Sequence, residues 1–220
     1  ARLDENGAAS YTFDLEWAPA APIEVPETAQ ILEAGSISAI IEPGASAVLD
    51  ALARGREHAL VFFDPNARPS IMGEPAVALV SLERFIALAD VVKVSDEDIE
   101  WLTGGVPIDN VVNRWLRMGP SLVVVTRGKH GSDVATASGL RFTKTTSDVK
   151  VVDTVGAGDS FMGGMIDAMW GMGLRGADAR ETLRSLPEEQ VRAIIDRASA
   201  VSDVTVSRKG ANPPWAHELS

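Results

Sequence analysis

The 220-residue chain has no cysteine. Disulfides, zinc–thiolate centres and cysteine nucleophiles are therefore excluded, and a reducing cytoplasm is compatible with such a chain. Its three histidines, His58, His130 and His217, do not cluster, so neither a histidine-based metal site nor a triad is suggested. Basic residues are also scarce. Twenty Lys and Arg face 31 Asp and Glu, a net charge of −11, which argues against the broad basic face of a nucleic-acid binder. It does not argue against a nucleotide, because backbone amides and a few local cations can hold phosphates. Apolar runs of about 18 residues are missing, so no membrane-spanning helix is expected. No signal-peptide pattern, internal repeat or low-complexity segment is visible. What remains is 45% hydrophobic and 23% charged, enough to bury a core over a length that suits one domain.

The chain is organised around Asp153-Thr154-Val155-Gly156-Ala157-Gly158-Asp159-Ser160-Phe161. An apolar strand over 149–152, interrupted by Lys150, is expected to run into it. Phe161, Met165, Ala168, Met169 and Met172 leave it at helical spacing. Glycines at such a turn let an anion approach the unpaired N–H groups of a helix start. An acid there cannot itself attract phosphate, so Asp159 reads better as a base beside developing charge. The plainer alternative is a common turn with Asp159 as a helix-dipole partner, and the residues alone leave the two about even.

Upstream, strands and helices alternate. Strands are expected at 30–33, 60–63, 91–92 and 122–125, and helices at 47–54, 77–89, 96–102 and 109–116. A last long helix carries Val191, Ile194, Ile195, Ala198 and Val201. Strands that are apolar throughout and separated by helices imply a parallel sheet covered on both faces, with ligands beyond the carboxyl ends of the strands. Chemistry-bearing residues fall there: Asp64, Asn66 and Arg68 after one strand, Lys93 and Ser95 after the next, Thr126, Gly128 and Gly131 after a third, then Asp153 and Asp159. Each group also has a simple structural explanation. Asp64-Pro65-Asn66 makes a turn, Ser95 with Asp98 makes a capping box, and Gly128 with Gly131 makes a hairpin leading to a strand at 132–137. Before all of these, Tyr11, Phe13 and Leu15 alternate as on a half-buried strand, and Pro19, Pro22 and Pro26 mark a connector.

Asp-Thr-Val-Gly-Ala-Gly-Asp-Ser-Phe closely resembles the C-terminal signature of the ribokinase-like (PfkB-type) sugar kinases. Thr126-x-Gly128-x-x-Gly131 and Asp64-Pro65-Asn66-x-Arg68-Pro69 resemble further motifs of that family, the latter in its bacterial fructokinase branch. The resemblance runs from about Tyr11 to Pro214. It implies a three-layer α/β/α fold with a mostly parallel central sheet, spanning residues 1–220 as one domain, with 1–17 a remnant of a small β lid. It implies an ATP- and magnesium-dependent kinase of the cytoplasm that phosphorylates a primary sugar hydroxyl, fructose first. Asp159 would be the base, and Gly156, Ala157 and Gly158 the anion hole. Thr126, Gly128, Gly131, Lys93, Ser199 and Gly210 would serve the nucleotide, and Asp64, Asn66 and Arg68 the substrate or phosphate. In some members potassium binds by a turn equivalent to Asp153 and Val155. A homodimer through the lid strands, no nucleic-acid partner and no membrane partner complete the picture.

Two departures accompany the resemblance. Ser95 and Asp98 stand where the family usually has Asn and Glu, and Ser199 where many members have Asn. A preceding strand, a Gly-Gly-x-x-x-Asn sugar-binding segment and most of the lid do not occur in these residues. A chain cut in this way is expected to bind nucleotide poorly, to phosphorylate nothing and to expose sheet edge. Two other readings stay open: a kinase of the same fold for 2-keto-3-deoxygluconate or a nucleoside, and a non-catalytic binding module.

Overall fold

A computed structural model describes residues 2–3, 9–10 and 15–219. Arg2–Leu3 (β1) pairs antiparallel with Ala9–Ser10 (β2) as a separate two-stranded sheet. The alternating pattern at Tyr11 and Phe13 lies outside the described residues, and Leu15 is exposed and in no strand.

The main sheet has six strands in sequential order: Ile31–Gly35 (β3), Leu60–Asp64 (β4), Val91–Ser95 (β5), Leu122–Thr126 (β6), Ser132–Thr136 (β7) and Arg141–Lys144 (β8). β3 to β6 are parallel, and β6, β7 and β8 form an antiparallel meander. The mostly parallel sheet expected from the sequence is therefore present. β8 was not anticipated, because it is polar and half exposed, and hydrophobic patterning reports only buried faces.

Strand alternation divides the core in two. Val61, Phe63, Val92, Val94, Val123 and Val125 face one side. Helices Gly44–Gly55 (α1), Pro69–Met72 (α2), Pro75–Ile86 (α3), Asp96–Thr103 (α4) and Ile108–Met118 (α5) cover them. Leu60, Phe62, Val91, Leu122 and Val124 face the other side, beneath Ala157–Gly171 (α6), Ala179–Arg184 (α7) and Glu188–Val206 (α8). The helices begin where local chemistry starts them. Pro75 takes the first position of α3, where a missing N–H costs nothing. Ser95 and Asp98 form a reciprocal capping box at α4, which then stops at left-handed Gly104. The structural reading of that Ser-x-x-Asp pattern is thus present in the molecule.

Polar clips fasten the layers. Buried Glu83 on α3 accepts the Trp115 indole N–H at 3.0 Å and pairs with Arg114, both on α5. At the amino ends of the parallel strands, Asp90 is almost wholly buried. Its carboxylate accepts Val61 N–H at 2.9 Å, Arg180 Nε at 2.6 Å, Arg180 Nη2 at 3.1 Å and Arg56 Nη2 at 3.4 Å.

One expected element is absent. Residues 149–152 form no strand: Val151 and Val152 are exposed, and Val152 and Asp153 both donate to Val206 O at the end of α8. Lys150 interrupts the apolar run, and the end of the segment is held by a helix terminus instead of a strand.

Candidate active site

The parallel register builds the site. Residues paired across parallel strands face the same side of a sheet. Glu33 pairs with Phe62, and Phe62 with Val91. Two residues further on, Asp64 and Lys93 therefore point to the face that carries α6. They meet as a buried ion pair, Lys93 Nζ to Asp64 Oδ2 at 2.8 Å. Burial pushes the Asp64 carboxyl above the ordinary carboxylate value, against the opposing pull of the Lys93 ammonium.

The start of α6 hangs above this pair. Gly156 is its N-cap with φ 76°, a left-handed conformation that suits glycine. At Gly158 a Cβ would lie 2.6 Å from Lys93 Nζ, so glycine lets the helix start settle onto the buried cation without displacing its tip. Ala157 N–H turns back onto Thr154 O at 3.2 Å. Of the three amides expected to form the anion hole, that of Ala157 has this acceptor within the turn. At the start of α6, the N–H groups of Gly156, Gly158 and Asp159 have no acceptor among the described residues.

Asp159, in the first turn of α6, is exposed. Asn66 Nδ2 donates to Asp159 Oδ1 at 3.3 Å, while Asn66 Oδ1 accepts Arg68 Nη1 at 2.7 Å. The guanidinium thereby fixes which end of the amide faces the carboxylate. Asn66 itself sits at φ 38°, its N–H donating to Asp64 Oδ1 at 3.2 Å. The Asp64-x-Asn66-x-Arg68 pattern thus becomes a relay from a guanidinium to the candidate base.

Asp159 lines one of two recesses by the start of α6, and Ala157 and Gly158 line the other. The first, a cleft of about 550 Å³, is lined by Trp17, Leu32, Glu33, Gly35, Ser36, Ser38, Asp64 and Asn66, among others. The second, a groove of about 130 Å³, runs along Thr126, Gly128, Gly131, Thr145, Thr146, Gly158, Ser199, Ser202 and Asp203. Thr126, Gly128, Gly131 and Ser199 are brought together as expected for a nucleotide site. Two residues assigned to that set fall elsewhere. Lys93 lies beneath the helix start, paired to Asp64, and Gly210 N–H donates to Asp153 Oδ2 at 2.8 Å. Asp153 Oδ1 accepts Val155 N–H at 3.0 Å, so this carboxylate ties the turn before α6 to the closing loop. These N–H donors hold the Asp153 carboxyl below the ordinary value.

Glu33, Thr145, Thr146, Ser202 and Asp203 were missed by sequence reasoning. Thr145 and Thr146 follow the unrecognised β8. Glu33 could have been found, as the acid that ends an apolar strand at the functional edge. Desolvation, together with the charges of Asp64 and Asp159, pushes its carboxyl above the ordinary value although the side chain keeps solvent contact.

The residues suit a triphosphate. Free amides and a buried cation converge at one helix start, and an open groove leads away from it. Among the described residues no group of three or more Asp, Glu, His or Cys could cage a metal, and no helix is long and apolar enough to cross a membrane.

Residues 4–218 match the family described as pfkB family carbohydrate kinase. Probable fructokinase-2 of Arabidopsis thaliana is 33% identical over 194 residues, covering 87% of this chain and 56% of that protein. The crystal structure of fructokinase from Vibrio cholerae O395, with fructose, ADP and calcium bound, superposes with a TM-score of 0.71 at 28% identity, covering 86% of this chain and 58% of that one. Aminoimidazole riboside kinase from Salmonella enterica, complexed with aminoimidazole riboside and an ATP analog, gives 0.70 at 26% identity over 89% of this chain and 63% of that one. The chain thus spans about half the length of the relatives it matches. With a matching family description over almost every residue and the ribokinase-like fold of its neighbours, this chain belongs to the pfkB family of carbohydrate kinases.

Proposed function

We propose that the protein carrying this chain transfers the γ-phosphoryl group of ATP to a primary hydroxyl of a sugar, with fructose as the preferred acceptor. The observation that carries the proposal is the Asp159 carboxylate, held by Asn66 in the wall of an acceptor-sized cleft, on the same helix start whose Ala157 and Gly158 line a second groove. Fructose and ADP in the Vibrio cholerae relative support the choice of substrates.

In this reading the acceptor hydroxyl lies in the cleft against Asp159. Asp159 takes its proton, the hydroxyl oxygen forms a bond to the γ-phosphorus, and the bond from that phosphorus to the bridging oxygen breaks, releasing ADP. The Gly156 and Gly158 amides face the charge on the transferred group, and the Lys93 ammonium lies behind them, beneath the helix start. Such catalysis is positioning and electrostatics rather than covalent chemistry by the protein. Magnesium accompanies the nucleotide, an ion that takes most of its ligands from phosphate and water and few from protein. The proposal also includes a monovalent cation near Asp153 and Val155, a cytoplasmic location and a homodimer through the β1–β2 strands.

Asp159→Asn tests it. Nucleotide binding should persist while turnover falls by about 10²–10⁴-fold. Turnover close to wild type would remove Asp159 from the role of base.

A further inference from the structure

The acceptor cleft has a chemical character that the kinase reading does not require. Its acidic lining residues are Glu24, Glu33, Asp64 and Asp159, and none of its lining residues is Lys or Arg. The nearest cation, Lys93, lies below the cleft floor and is committed to Asp64 at 2.8 Å. Arg68 is turned onto Asn66 and the Ala67 carbonyl. Neutral polar groups complete the wall, with the hydroxyls of Ser36 and Ser38 beside the Asn66 amide. Glu33 occupies a particular place among these groups. It stands on β3 in register with Phe62, on the same sheet face as Asp64 and Lys93 and below Asp159 on α6.

We propose that Glu33 is a specificity-determining residue, and that the cleft accepts an uncharged, hydroxyl-rich acceptor and rejects one bearing a carboxylate or phosphate. This inference rests on the kinase reading of the site. A sugar hydroxyl donates to a carboxylate and gains from this wall. An anionic acceptor meets several carboxylates and, among the described lining residues, no cation to offset them, and leaves its own hydration to do so. Discrimination then comes from a repulsive element in the site as much as from an attractive one. The charged groups facing Glu33 are Asp64 from β4, Lys93 from β5 and Asp159 from α6. The two acids raise its carboxyl and the lysine lowers it, consistent with a crowded acidic wall.

The test compares D-fructose with 2-keto-3-deoxygluconate, a carboxylate-bearing acceptor, by coupled ADP release in the intact protein and in Glu33→Gln and Glu33→Lys variants. The wild type should favour fructose in kcat/KM. Glu33→Gln should reduce that preference about five- to tenfold, mainly through KM, and Glu33→Lys should reduce it further. A mere folding defect would depress both acceptors equally and leave the ratio in place. A ratio unchanged within about twofold in both variants, with turnover retained, overturns this inference alone. No ADP release with any acceptor in the wild type overturns the kinase reading, and the inference with it.

Discussion

Replacing Asp90 by Ala perturbs the molecule far from its chemistry, at the opposite end of the strands. The Asp90 carboxylate is the acceptor for one buried backbone N–H and for two arginines reaching in from α7 and from the residue after α1. Its loss leaves Val61 N–H without an acceptor, at a cost of about 1–3 kcal/mol. It also leaves the Arg180 guanidinium, 19% exposed, without its counter-charge, although the Arg56 and Ala59 carbonyls still receive its Nη2. Breaking one side of a buried pair typically costs about 3–5 kcal/mol in all. That is a large share of the roughly 5–15 kcal/mol that stabilises a typical domain. Urea unfolding at neutral pH should show the midpoint falling accordingly with an unchanged slope. Asp90→Asn, which keeps an acceptor for Val61 N–H, should cost clearly less. Arg180→Met alone should destabilise, but the double variant should lose less than the sum of the two singles. A loss below about 1 kcal/mol for Asp90→Ala, or strict additivity in the double variant, would refute the idea that this cluster clamps the sheet.

Other expectations concern the site. Gly158→Ala places a methyl group 2.6 Å from Lys93 Nζ, so the tip of the lysine must shift while it stays paired with Asp64. We expect kcat to fall by about 10- to 100-fold with little change in thermal midpoint, read by ADP release and calorimetry side by side. Asp153, whose folded carboxyl sits below its ordinary value, stabilises the protein above the unfolded pKa and loses that contribution as pH falls toward the folded one. Asp153→Asn should therefore be the weaker protein near pH 6 and should converge with wild type on acidification, in midpoints recorded across that range. Glu33 has the opposite sign, because its folded pKa is raised. The charge penalises the fold increasingly as pH rises past the ordinary carboxylate value, so Glu33→Gln should gain relative stability there.

Much of this was legible in the chain. The runs Leu60–Phe63 and Leu122–Val125 alternate their side chains between two helical layers, which is why apolar continuity correctly predicted a covered parallel sheet. Asp64 and Asn66 at the end of β4 and the Thr126-Gly128-Gly131 turn at the end of β6 lie on one edge as expected, because strand ends place them there, whereas Asp159 reaches its place on the first turn of α6 without a strand before it. Three features were not legible. The 149–152 segment looks like a strand by composition, but its partner is a helix terminus, a long-range choice that no local pattern carries. The amide of Ala157 was assigned to an anion and instead closes a turn on Thr154. Lys93 follows its strand like the other candidates, yet strand parity and the absence of a Cβ at Gly158 draw it beneath α6 rather than into the groove.

β3 has no strand on its outer side among the described residues, and the acceptor cleft is lined by Leu32, Glu33, Ala34 and Gly35 in succession. Successive residues of a strand face opposite sides, so one recess can touch all four only by crossing the sheet margin. A bound acceptor would then meet main-chain N–H and C=O groups as well as side chains. Alanine scanning leaves those groups in place, so the summed losses from such a scan should fall short of the whole binding energy. Proline at these positions would be the sharper probe, since it removes a donor that no side-chain replacement can reach.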